Sequence, residues 1–400
     1  MLAAGVGMTA IPNTEDERGS ARTAIETAAS QALEGAGGAE GALVFVTPGS
    51  SIPVEEIVDV VGGVLGTDAL AGATSHGVIG AGQEIEGQPS LSILALRGLE
   101  CMPFLLPDLR ADGVNFGEDI AGILGGQPGP GDLIVLLPDA NDFDPEAVLP
   151  GIRTELDPAR VVGAGSAAPG LGSALQWGGR QVESGALAGL ILRAPGPVTI
   201  GVTQSCRPVT PLLTVTRAQG HWLLELDGRP ALDVYREVAR APLAEDLRHA
   251  AAFLLAAIPR DERDPLRPGG YLARNVAGFD EEHRALAIPE ILKPGQHIAL
   301  ATREPEGARE DLKEMLAGAV GAQARLGMLF DCCARGASLF GMPGLEAAYL
   351  ENALGQTPAV GMFGAFELGP IGSRDGAGLG QGAAATELLT YTGVLALLEA

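Results

Sequence analysis

GALVFVTPGSSIPVEEIVDVVGGVLGTDALAGATSHGVIG (residues 41–80) and GDLIVLLPDANDFDPEAVLPGIRTELDPARVVGAGSAAPG (131–170) are two copies of one pattern. Each opens on a short apolar run, Leu43–Val46 or Leu133–Leu137, with the length and branching of a buried strand. A loop of Pro, Gly, Ser or Asp follows. Apolar residues then recur at three- and four-residue spacing: Val54, Ile57, Val58, Val61 and Leu65 in one copy, Ala147, Val148, Ile152 and Leu156 in the other. That spacing gathers them on one face of a helix. A second strand carries GATS (72–75) or GAGS (163–166), and alternating strands close each copy. In the first the alternation runs through Leu91, Ile93 and Ala95; in the second a hairpin is expected at Glu183–Gly185.

A third copy lies near the end. RLGMLFDCCARG (325–336) supplies strand and loop, MPGLEAAYLENAL (342–354) the helix, TPAVGMFGAFELGP (357–370) the second strand and TELLTYTGVLALL (386–398) the closing strand. The fold expected is therefore α/β, with repeated β-α-β-β units forming mixed sheets flanked by helices in two domains. Residues 1–20 read as a flexible N-terminal tail, 21–197 as the first domain and 198–400 as the second, with APGP (194–197) as the hinge. Between hinge and third copy, a hairpin at Gln219–Gly220, a tight turn at Asp227–Gly228 and a helix from Pro230 predict an antiparallel or mixed sheet with helices on one face.

Composition narrows the function. In 400 residues, 46% are hydrophobic and 19% charged, which suits a folded protein with sizeable cores. Fifty acidic residues against twenty-six Lys plus Arg give a net charge of −24. Such a surface repels nucleic-acid phosphates and anionic lipid, so neither is an expected partner. Lys293 and Lys313 are the only lysines, and neither follows a glycine, so there is no P-loop. Four cysteines without a CxxC, and an N-terminus without a basic segment before an apolar run, point to a reducing cytoplasm.

Several motifs fall short of a chemistry. Gly163-Ala-Gly165-Ser-Ala-Ala168 fits a relaxed dinucleotide pattern, but Pro169 and Gly170 stand where the phosphate-binding helix would begin. Ala73-Thr-Ser75-His-Gly77 resembles a nucleophile elbow but leads into strand and turn. Its plainer reading has Thr74 and Ser75 capping a strand end and lining a cleft. The five histidines are scattered, and Asp139–Asp144 lacks the glycine and closing glutamate of a calcium loop. That acidic run reads better as a helix N-cap. No metal and no cofactor are expected.

Asp331-Cys332-Cys333-Ala334-Arg335-Gly336 and Phe363-Gly-Ala-Phe-Glu367-Leu-Gly369-Pro370 are the most informative stretches. They end two strands joined by one helix. If those strands are neighbours, Arg335 and Glu367 face one crevice and make a receptor for a zwitterion. Arg335 would take the carboxylate and Glu367 the amine. Arg335 could instead lower the Cys333 thiol pKa. It could also serve as a plain ion-pair partner.

These stretches, with VTRAQGHWLLELDGRPALDVY upstream and GATSHGVIGAGQEIEGQPSLSILAL in the first half, resemble the FIST family over about residues 25–398. Cys333, Arg335 and Gly336 match its CxRG element; Glu367, Gly369 and Pro370 match its GEIGP element, with Phe366 where the family usually has glycine. The resemblance implies a sensory module that binds an amino acid or related small carboxylate and signals to a separate protein. The ligand contacts expected are Cys333, Arg335, Gly336, Glu367, Gly369, Pro370, Thr74 and Ser75, with no catalytic residue. Two other readings stay open: a partner-binding adaptor without a ligand, and a cysteine-dependent transferase or hydrolase using Cys333 and Arg335.

Overall fold

The structure is a computed structural model. It describes residues 1–111, 113–168, 170, 173–193, 196–240, 245–260, 264–320, 323–371, 379–380 and 385–399. The described part is mixed α/β, with several mixed sheets flanked by helices. Of the hinge expected at 194–197, residues 194 and 195 lie outside the described residues.

Two compact units are present. The first joins Met1–Val202 to Lys313–Leu388 and Thr392–Ala400; the second is Thr203–Leu312 with Leu389–Tyr391. These units cut across the expected division at 197, because the third copy belongs with the first two. The segment between is an insertion in the chain order.

The first unit is three turns of one plan. Each turn has an outer strand (Ala3–Ala10, Glu100–Leu106, Val198–Gln204) and a lead strand (Gly41–Thr47, Asp132–Pro138, Ala324–Cys332). A helix (Val54–Leu65, Pro145–Glu155, Leu345–Leu354) then leads to a second strand (Leu70–Thr74, Arg160–Ala164, Ala359–Gly364). Because a helix joins them, lead and second strands run parallel. The closing strands Ser90–Arg97, Leu187–Arg193 and Thr392–Glu399 lie antiparallel on the other side of each lead strand.

Between second and closing strands the chain leaves its own sheet. Gly77–Gly80 of the first repeat pairs with the third repeat's second strand. Gln176–Gly178 of the second pairs with the first's, and Glu367–Pro370 of the third with the second's. The exchange is cyclic, so no repeat has a complete sheet alone. Three backbone hydrogen bonds close the ring where the second strands end. The N–H of His76 donates to Phe363 O at 2.9 Å, that of Ala167 to Thr74 O at 3.0 Å, and that of Ala365 to Gly165 O at 3.0 Å.

The lead strands are buried on both faces. Ala42, Val44 and Val46 meet the helices, in one cluster with Ile57, Val58 and Val61. Phe45 points the other way and meets Phe330 of the third repeat edge to face, with ring centroids 6.1 Å apart. Glycine makes the close approaches possible. A Cβ at Gly72, Gly163 or Gly361 would stand 1.9, 1.8 or 2.3 Å from the carbonyl oxygen of Val44, Leu136 or Leu329 on the neighbouring lead strand.

Three local expectations need correction. Residues 3–10 are a strand, not a tail: they pair with Ser90–Arg97 along their whole length. Gly5 and Gly7 let the helix Arg18–Ala36 lie against that strand, since a Cβ there would meet Ala32 O at 2.1 Å and Ala28 O at 1.8 Å. The second repeat's hairpin turns at Gly179, one strand earlier in the chain than Glu183–Gly185 suggested. Residues 386–398 break into two strands at Tyr391, whose φ is +60°.

The second unit carries the expected hairpin of Leu213–Gln219 with Trp222–Leu226 and the helix Ala231–Ala239. Its sheet is built from antiparallel pairs. Tyr235 seats the helix on it by donating to Leu254 O at 3.0 Å.

Candidate ligand-binding site

The third repeat brings Asp331, Cys332, Cys333, Arg335, Gly336 and Glu367 together, but closes them in. Arg335 has no exposed surface, and neither has Glu367. Arg335 Nε lies 2.7 Å from Asp331 Oδ1. It donates to Glu346 Oε1 at 2.9 Å, and Nη2 reaches the same oxygen. The N–H of Gly336 donates to Glu346 Oε2 at 3.1 Å. The guanidinium also stands over the Phe340 ring, 5.7 Å from its centroid. The expectation of an open crevice with Arg335 as its carboxylate clamp is therefore corrected: two acids of the chain already hold it. Sequence reading missed both. Asp331 had a signal, an acid continuing the buried run MLF, which demands a cation nearby.

Burial alone would raise the Glu346 carboxyl. The Arg335 charge, with hydrogen bonds from Asp331, Arg335 and Gly336, holds it below the ordinary carboxylate value. Asp331 goes the other way. Burial and then the Glu346 charge push it well above the usual range against the pull of Arg335. The two closely spaced acids are thus pushed in opposite directions, Glu346 down and Asp331 up.

Glu367 is also pushed well above its ordinary value, by burial first and then by Cys332. Its Oε2 accepts from Thr392 Oγ1 at 2.6 Å and from the Thr392 N–H at 3.2 Å. Gly369 and Pro370 are strand residues with buried surroundings. A Cβ at Gly369 would meet Val394 at 2.9 Å. Thr74 and Ser75 belong to the first repeat's strand end. Thr74 Oγ1 accepts from the Leu175 N–H at 2.9 Å, and both residues are fully buried. Of the expected contacts, Cys333 alone is half-buried, with its side of the turn reaching solvent.

The first repeat's hairpin docks on the same corner with two acids. Glu84 accepts from the N–H groups of Gly344 and Ala347, at 2.8 and 2.7 Å, at the start of the helix Leu345–Leu354. Glu86 accepts from the Ala337 N–H at 2.9 Å. Burial, ahead of the charges of Glu346 and Glu86, lifts Glu84 to about 7. A carboxyl raised on folding favours the fold most below its unfolded value and loses that contribution as pH rises through the folded one. Stability should therefore fall between about pH 4.5 and 7. Glu84→Gln should flatten that slope, which urea titrations at pH 5 and 8 would measure.

An open hollow stands at the same strand ends in the second repeat. It encloses 610 Å³ and is lined by Asp108, Arg110, Asp139, Asn141, Asp142 and Gly185, among others. Ligands in α/β sheets gather at the carboxyl ends of strands, and this volume suits a small molecule. Asp139 ends the lead strand and is 5% exposed. Its Oδ1 accepts from the Asn141 N–H at 2.9 Å, and its Oδ2 from the Gly185 N–H at 3.1 Å and Gln176 Nε2 at 3.3 Å. Gln176 is itself fixed by Ser166 Oγ at 2.6 Å and the Ala186 N–H at 3.1 Å. Arg110 stands opposite, 2.5 Å from Asp142 Oδ1, with its side chain 72% exposed. The run Asp139–Asp144 was read as a helix cap, and Asp144 is one, accepting from Glu146 and Ala147. Asp139, Asn141 and Asp142 line the hollow, which the helix-cap reading misses because Arg110 and Gln176 arrive from distant segments.

A model of the FIST N domain matches residues 16–229, and one of the FIST C domain matches 231–370. Uncharacterized protein MT0656 of Mycobacterium tuberculosis (strain CDC 1551 / Oshkosh) is 29% identical over 380 residues, covering 93% of this chain and 96% of that protein. Uncharacterized protein Mb0898c of Mycobacterium bovis is 29% identical over 379 residues, covering 93% and 95%. Among solved structures, a cyanuric acid hydrolase from A. caulinodans matches 48% of this chain and 70% of its own at 10% identity, with a TM-score of 0.25, too slight to argue from. Among the described residues no helix is long and apolar enough to cross a membrane.

Proposed function

The chain belongs to the FIST family, whose domains are sensory modules, and from that premise we propose that it senses an amino acid or related small carboxylate held in the second repeat's hollow. The observation that carries this reading is the meeting of opposite charges in that hollow, which Arg110, Asp139 and Asp142 all line. A zwitterion needs both. Arg110 pairs with Asp142 at the surface, where an ion pair is worth only about 0–1 kcal/mol, so turning the guanidinium to a guest's carboxylate is easy. Asp139 is held by three donors and still has lone pairs for an ammonium group. Arg335 and Glu367, in this reading, frame the neighbouring repeat and do not touch the guest.

A sensor also needs two states with different affinities for the guest. A separate signalling protein in a cytoplasmic setting would read the difference. Calorimetry with the twenty amino acids and their small-carboxylate analogues tests the proposal. Heat is expected with at least one, and Arg110→Ala should weaken it by about tenfold, roughly 1.4 kcal/mol. Binding unchanged by both Arg110→Ala and Asp139→Asn, or heat with none of the panel, overturns it.

A further inference from the structure

The turn after the third lead strand holds a feature the ligand reading does not use. Cys332 and Cys333 are adjacent, and the Cys332 side chain hydrogen-bonds the Cys333 thiol. Cys332 is 3% exposed and Cys333 half-buried, so Cys333 is the residue of the pair that solvent reaches. The Cys333 N–H donates to Gly364 O at 2.8 Å, which pins the turn to the neighbouring strand. Behind the pair lies Glu367, fully buried, with Oε1 lacking any hydrogen-bond partner among the described residues.

We propose that Cys332 and Cys333 form a peroxide-sensitive dithiol, in which Cys333 is oxidised and Cys332 resolves it as a vicinal disulfide. The Cys333 thiolate attacks one oxygen of a hydroperoxide. The S–O bond forms as the O–O bond breaks, and the departing alkoxide or hydroxide takes a proton to leave as alcohol or water. Sulfur loses two electrons and the peroxide gains them, leaving a sulfenic acid. Cys332 then attacks the Cys333 sulfur. The S–S bond forms, the S–O bond breaks, and the hydroxide leaves as water with the Cys332 proton.

The surroundings set the order of oxidation. The Cys332 hydrogen bond lowers the Cys333 thiol from its ordinary value despite burial. The other cysteines offer a contrast within the same chain. Burial, with Glu40 and Glu100, pushes Cys101 to about 12, and Cys206 has no exposed surface.

Hydrogen peroxide at a few equivalents tests this, read by intact mass and by tandem mass spectrometry of the peptide that spans both residues. The full chain should become about 2 Da lighter, with the bridge between Cys332 and Cys333, and dithiothreitol should restore it. Cys332→Ser should stop at the sulfenic acid, seen as a dimedone adduct on Cys333. Cys333→Ser should leave the peptide unoxidised. Oxidation that begins at Cys101, a Cys332→Ser protein without the dimedone adduct, or a wild-type peptide still reduced after excess peroxide would overturn the proposal. None of these outcomes depends on the ligand of the second repeat.

Discussion

Arg335→Met should cost about 3–5 kcal/mol of stability, lower the melting temperature by roughly 10 °C, and leave the isolated protein prone to aggregation. The reason is what remains. Asp331 and Glu346 would face each other at 0% and 1% exposure with no cation between them. A buried charge without a partner is expensive, although the intact triad itself adds little net stability. The same substitution releases Gly336 and the short turn it begins, because Glu346 also holds the Gly336 N–H. The pH dependence identifies the cause. Acid protonates the second carboxyl and removes the repulsion, so the loss should be smaller at pH 5 than at pH 8. A loss equal at both values would mean that lost packing against Phe340 matters more than charge. Arg335→Lys should recover only part of the loss, since an ammonium cannot reproduce the guanidinium's fork.

The second large effect lies at the three equivalent glycines. Gly72→Ala, Gly163→Ala and Gly361→Ala each place a methyl group within 1.8–2.3 Å of a backbone carbonyl oxygen on the lead strand. Backbone cannot yield as a side-chain tip can, so two sheet strands must move apart. Each substitution should cost more than about 3 kcal/mol or prevent folding. At Gly163 the φ of +156° adds strain for any residue with a Cβ. Gly63→Ala supplies the control. Gly63 lies exposed in the helix Val54–Leu65, and nothing stands within 4 Å of its Cβ position. Alanine there should stabilise by about 0.5–1 kcal/mol. Similar losses at the three strand positions are the signature of one plan used three times. Tolerance at any one of them would break the equivalence.

The repeat was legible because it is written in local patterns. Apolar runs, helical spacing and the glycine of GATS and GAGS all act over a few residues. Val54, Ile57, Val58, Val61 and Leu65 are buried as their spacing implies. What could not be read was the exchange of strands among repeats, which is a long-range choice. Gly77–Gly80 pairs with residues 360–362, and nothing in its four residues names that partner. The tail was misread for the opposite reason. AAGVGMTA has only Val6 and Thr9 as branched residues, yet the small size of Gly5 and Gly7 is what the helix above it requires. At the site, Arg335 and Glu367 are both buried in the third repeat, and the depth of Arg335 follows from Glu346, eleven positions on in the next helix, which no local pattern names. The hollow needs Arg110, Asp139 and Gln176 to meet from three segments.

Hydrogen–deuterium exchange of the full chain, with and without the amino acid that gives the strongest heat, tests the central claim most directly: that a guest is held at the second repeat's strand ends. Slower exchange is expected at residues 108–111, 139–142 and 184–186, around the hollow and the backbone that holds Asp139. Slowing confined to 331–336 and 367, with the second repeat unchanged, would contradict it and return recognition to the buried charges of the third.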